Sequence, residues 1–98
     1  MAYNRKIDTT HTAIVRALHK IPGAQVIDTH RVGQDFPDVV VGYQRRNVFV
    51  EIKSSEKSQI TPGQFVMRQS WPGEYHIAWT PEMAVNAVIF GSVFGEKK

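Results

Sequence analysis

The chain contains no cysteine. That excludes a disulfide framework and any thiolate zinc site. It has no apolar run near the ~20 residues that a membrane-spanning helix needs. Its first residues, MAYNRKIDTT, lack the apolar core of a secretory signal. The expected location is therefore intracellular, with no membrane partner. No internal repeat or long linker divides the 98 residues, so a single domain over 1–98 is expected. His19, His30 and His76 have no spacing that suggests zinc ligands. Charge of either sign is not extreme. The net charge of +3 mildly favours an anionic partner such as nucleic acid. A 42% hydrophobic fraction supports one small core, and a domain this small buries only a modest share of its surface, so self-association is expected.

What the chain does have is a charged hairpin, FPDVVVGYQRRNVFVEIK, from Phe36 to Lys53. Val39, Val40, Val41 and Tyr43 read as one strand, and Val48, Phe49, Val50 and Ile52 as the next. Gln44-Arg45-Arg46-Asn47 is the reversal. Asp38, Glu51 and Lys53 sit inside this apolar setting, where charge is costly unless something binds it. Glu51 and Lys53 are two apart and share a strand face. A turn centred on Arg45-Arg46 puts Gln44 opposite Asn47, Val40 opposite Glu51, and Asp38 opposite Lys53. All three charges then project to one side. Two hard oxygen donors suit Mg²⁺ or Mn²⁺, and an ammonium beside them suits a phosphate or an attacking water. The plainer alternative is a surface hairpin with a cross-strand ion pair.

The remaining elements fall into place around the hairpin. A helix is expected from Asp8 to about Ile21, with Ile14, Val15 and Leu18 on its apolar face and Asp8, Thr9 or Thr10 as N-cap. Pro22-Gly23 ends it, and Ala24 to Asp28 reads as a first strand. Thr61-Pro62-Gly63-Gln64 opens a second helix with a capping box, running to about Ser70 and burying Phe65 and Val66. Tyr75 to Trp79 is a fourth strand. Thr80-Pro81-Glu82 starts a last helix that Gly91 stops after Phe90. The fold class is α/β, a mixed sheet flanked by helices in the order α-β-β-β-α-β-α. The last helix is apolar nearly all round, with Val85, Val88, Ile89 and Phe90, and Val93 and Phe94 beyond it. A surface helix needs only one apolar stripe, so a homodimer through this helix is expected.

These residues resemble the PD-(D/E)XK nuclease superfamily, in Pro37-Asp38 and Glu51-Ile52-Lys53. Within it, the segments DTTHTAIVRAL, VGQDFPDVVVG, VFVEIK and TPGQFVMRQSWPG resemble the virus-type replication-repair nuclease (VRR-NUC) branch, in its short stand-alone phage form. Family members tend to carry Gly where Asp35 stands and Gln where His11 stands. The resemblance implies a metal-dependent, structure-specific DNA endonuclease acting on branched DNA, a Holliday-junction resolvase working as a homodimer. A phage origin would place it in the host cytoplasm. A nicking or restriction-type duplex nuclease, or a nucleic-acid-binding module that does not cleave, are the alternatives.

The resemblance also implies roles. Asp38, Glu51 and the Ile52 backbone carbonyl would hold the Mg²⁺ or Mn²⁺ ion. Lys53 would orient the attacking water or offset transition-state charge. Asp8, in the place of the family's helix acid, would reach the metal directly or through water. Gln64 would point into the active site near Lys53 and the DNA phosphate. Arg68, one turn later on the same face, and His11 would contact phosphate. Arg45, Arg46, Lys57 and Arg31 are candidate contacts to the DNA backbone.

Overall fold

The computed structural model describes residues 5–92, with side chains described from Thr9 onward. Its elements are α1 (Arg5–His19), β1 (Gln25–Asp28), β2 (Val39–Tyr43), β3 (Arg46–Ile52), α2 (Pro62–Ser70), β4 (Glu74–Ala78) and α3 (Pro81–Phe90). The order is α-β-β-β-α-β-α, and the sheet is four-stranded and mixed, in the order β1-β2-β3-β4. β1 to β3 form an antiparallel meander, whereas β4 lies parallel to β3. A parallel neighbour requires a crossover, and α2 lies in that connection.

One face of the sheet makes the core. Val39 and Val41 of β2 and Val48 and Val50 of β3 alternate inward and are fully buried. They pack against Ile14 and Leu18 of α1 and Met83, Ala84 and Val88 of α3. The apolar spacing of α1 serves this contact, as expected. The helix begins at Arg5, however, so Asp8 lies inside it and not at its N-cap. The Asp8 side chain lies outside the described residues.

α3 departs from its expected role. Its apolar excess is used within the subunit: Met83, Ala84, Ala87 and Val88 are buried, and Val85 and Ile89 pack against the same cluster. Val88 is wholly inaccessible, so it is a core residue and not part of a seam between subunits. Among its large apolar residues, Phe90 alone stands well exposed. Val93 and Phe94 lie outside the described residues. A homodimer therefore has to be argued from something other than the composition of this helix.

The opposite face of the sheet carries an aromatic group. Phe49 stacks on Trp71 with ring centroids 4.6 Å apart, and touches Phe36 at 5.3 Å and Tyr75 at 6.2 Å. α2 lies out on this side and buries none of its residues. Phe65 and Val66, expected to be buried, are more than half exposed, because Trp71 and Phe36 already cover Phe49. What anchors the start of α2 is polar. Thr61 and Gln64 form the expected capping box, and the Asp35 carboxylate packs against Gly63, where any added Cβ would have to displace it. Asp35 itself has φ 66°. That left-handed conformation is one glycine adopts freely and Asp tolerates at some cost.

Candidate active site

The β2–β3 hairpin turns one residue earlier than its sequence suggests, which shifts the cross-strand pairing by two. Gln44 and Arg45, with φ of 50° and 67°, form the two-residue turn, and Tyr43 pairs with Arg46. Gly42, not Gln44, faces Asn47, and Val40 faces Phe49, not Glu51. Continuing this register one step places Asp38 opposite Glu51 instead of Lys53. A slip of two preserves the face, so the expected juxtaposition survives. Asp38, Glu51 and Lys53 all stand on the side away from the core.

The contacts among them are specific. The Ile52 N–H donates to Asp38 Oδ2 at 2.8 Å, fixing the peptide between Glu51 and Lys53 against the other carboxylate. Lys53 Nζ lies 3.7 Å from Glu51 Oε2. Gln64 joins the two: its Oε1 accepts from Lys53 Nζ at 2.7 Å, and its Nε2 donates to Glu51 Oε2 at 2.7 Å. The same Oε1 accepts the Thr61 N–H at 3.1 Å and closes the capping box. Gln64 is thus both a helix cap and a site residue, and it aims the N-terminus of α2, with its partial positive charge, at the carboxylates.

Glu51 is the electrostatic anomaly. It is only 4% exposed. Burial, and then the neighbouring Asp38 carboxylate, push its pKa up to about 7 against the opposing pull of Lys53. Its Oε1 is buried without a hydrogen-bond partner. A buried carboxylate oxygen left unpaired costs stability. A divalent cation held by Asp38 and Glu51 would offset both the desolvation and the mutual repulsion, so the donor set fits Mg²⁺ or Mn²⁺. Nearby, burial and the same two carboxylates push the Tyr75 hydroxyl up to about 12.

A cavity of about 520 Å³ opens over this site and extends beyond it. Asp38, Ile52 and Lys53 line one side, and His11, Asp28 and His30 the other. His11 Nε2 lies 3.0 Å from Asp28 Oδ2, and His30 Nδ1 lies 2.7 Å from Asp28 Oδ1. Burial acts to raise the Asp28 carboxyl, but the hydrogen bonds from the two imidazoles outweigh it and hold it at about 2. Sequence spacing gave no sign of this group, because His11 comes from α1, Asp28 ends β1 and His30 follows it. Its one local signal was Asp28-Thr29-His30, in which the His30 N–H returns to Asp28 Oδ1 at 3.2 Å.

Not every candidate gathers here. Arg45 is exposed in the hairpin turn, at the end remote from Asp38. Arg46 is committed elsewhere. Its guanidinium makes a two-pronged pair with Glu74 at 2.7 and 2.8 Å and caps the end of α3 through the Val88 carbonyl at 2.7 Å. It is a structural bridge in place of the expected DNA contact. Arg68 is exposed on α2, one turn past Gln64, and its charge is felt at the Tyr75 hydroxyl. Arg31 lines the cavity, and Lys57 is exposed on the 54–60 loop. No helix among the described residues is long and apolar enough to cross a membrane. In comparison with known proteins, no family model, no curated protein and no solved structure matches this chain.

Proposed function

We propose that this chain is a Mg²⁺- or Mn²⁺-dependent endodeoxyribonuclease that hydrolyses phosphodiesters, with branched DNA as its substrate. The observation that carries the reading is Glu51. It is a buried carboxylate with an unpaired oxygen, set against Asp38 and bracketed by Lys53 and Gln64. A structural ion pair would leave no such deficit, whereas a cation-binding carboxylate carries one by design.

In this reading Asp38 and Glu51 hold the ion, with the Ile52 carbonyl as a further oxygen donor. The ion supplies Lewis acidity toward the phosphate and lowers the pKa of its water. Lys53 offsets the charge that builds on the phosphate as the bond breaks, and Gln64 fixes the ammonium in place at 2.7 Å. The start of α2 adds favourable potential for the phosphate. Arg31 and Arg68 flank the approaches as contacts to the DNA backbone, whereas His11 is engaged with Asp28. Asp8 keeps its proposed place as an added acid from α1.

Preference for a four-way junction, and action as a homodimer, rest on the VRR-NUC resemblance. A junction is nearly two-fold symmetric, and a two-fold dimer would present paired sites to it. The test is a panel of labelled junction, flap and duplex DNAs incubated with and without Mn²⁺. Cleavage of the branched substrates that disappears in Asp38→Asn is expected. Tight DNA binding without cleavage in either metal would remove the nuclease assignment. Plain duplex cut as fast as the junction would remove the branch preference alone.

A further inference from the structure

We propose that His11, Asp28 and His30 form a second metal site, for a first-row transition ion of the zinc class, separate from Asp38 and Glu51. One donor atom from each of the three lies within 4.8 Å of the others. The two contacts to Asp28 are 3.0 and 2.7 Å, and each imidazole addresses a different carboxylate oxygen. Ligand atoms bonded to zinc at ~2.0–2.2 Å stand about 3 Å or slightly more from one another. An ion would replace the two hydrogen bonds to Asp28 and draw the three donor atoms closer together.

The donor types choose the ion. Two imidazole nitrogens and one carboxylate suit zinc and its neighbours, whereas magnesium prefers an all-oxygen set such as Asp38 and Glu51. Three protein ligands leave a coordination position free, the pattern of a reactive site and not of a closed structural one. Here that position faces the cavity shared with Asp38 and Lys53, where an anionic oxygen of a phosphate would be received.

The ligands are also braced from outside. Asp28 closes β1, the His30 N–H donates to its carboxylate, and the intervening Thr29 is pinned twice. Its N–H donates to the Asp38 carbonyl at 2.7 Å and its hydroxyl to the Pro37 carbonyl at 2.8 Å. Such outer contacts hold ligand geometry before the ion arrives. They also join the two sites mechanically, since Thr29 grips the residues that present Asp38. The proposal does not depend on the nuclease reading.

The test is titration of the metal-stripped full chain with cobalt(II), followed by zinc(II) as competitor. Cobalt's visible absorption reports low-coordinate nitrogen and oxygen ligation. One saturable, strongly absorbing cobalt ion is expected, displaced by zinc and not by excess magnesium. His30→Ala and Asp28→Asn should each weaken it at least about 10-fold, the effect that loss of even an outer partner produces. Both residues are exposed, so both variants should fold, with circular dichroism as the check. Glu51→Gln should leave the cobalt spectrum intact. The proposal is overturned by absence of a saturable spectrum, by unchanged affinity in His30→Ala, or by loss of the spectrum in Glu51→Gln. An intact cobalt site in a chain that cleaves no DNA would instead sink the nuclease reading alone.

Discussion

Replacing Glu51 by Gln should make the metal-free protein less sensitive to rising pH. Glu51 has a folded-state pKa of about 7 against an ordinary 4.5. A carboxyl that holds its proton more tightly when folded contributes stability below its unfolded value and loses it as pH rises through the folded value. Integrated from about pH 5 to about pH 8, the shift amounts to about 2.5 kcal/mol, and solvent screening at the cavity edge reduces it to about 1–2 kcal/mol. The Gln variant has no such proton to lose, and its amide still fills the space and still accepts from Gln64. Titrating groups away from Glu51 are common to both proteins and cancel in the comparison. In a domain of this size the melting-temperature gap should therefore widen in favour of the variant by roughly 5–15 °C over that range. The assay is thermal melting in chelator at several pH values. Adding Mn²⁺ should close the gap by stabilising the wild type only. Parallel melting profiles for the two proteins would refute the argument that Glu51 is a buried, repelled carboxylate.

Asp38→Asn should abolish cleavage and leave DNA binding equal or tighter, since a charge that repels phosphate is gone; gel-shift and cleavage assays on one substrate check both. Lys53→Ala should lower the cleavage rate by roughly 10² or more with metal affinity retained, and a collapse in Mn²⁺ affinity by calorimetry would make Lys53 structural. Gln64→Ala should cost about 1 kcal/mol through loss of the capping box and also lower turnover per folded molecule; denaturant melts with single-turnover kinetics separate the two, and an unchanged turnover would leave only the cap. Val88→Glu should unfold the subunit instead of producing folded monomers, because an unpaired carboxylate would enter the core; a well-folded monomer in sedimentation and circular dichroism would contradict the packing of α3.

Much of the site was legible because strand geometry has only two faces. Glu51-x-Lys53 had to share a side, and Asp38 had to join them under any even shift of register. The shift itself was not legible. A two-residue turn with both residues left-handed favours Asn-Gly, and Gln44-Arg45 gives no such signal. Capping chemistry was readable at Thr61 and Thr80 because it is local. The fate of apolar residues was not: Phe65 and Val66 stay exposed and Val88 is buried for reasons set by where Trp71 lands and by Phe36 and α1, which are distant in sequence. The His11–Asp28–His30 group is hidden for the same cause, since its spacing is created only when α1 docks beside β1.

β3 gives its two sides to different tasks: Val48 and Val50 to the core, Phe49 and Glu51 to the outer face, which Lys53 continues just past the strand. Adding or deleting one residue between Arg46 and Glu51 would exchange those sets, pushing a carboxylate into the valine layer and a valine onto the outer face beside Asp38. The strand is therefore intolerant of changes in length, however mild the inserted residue. The 54–60 loop carries no such parity and is the place where a tag, a reporter or an added segment should be accepted without loss of the fold.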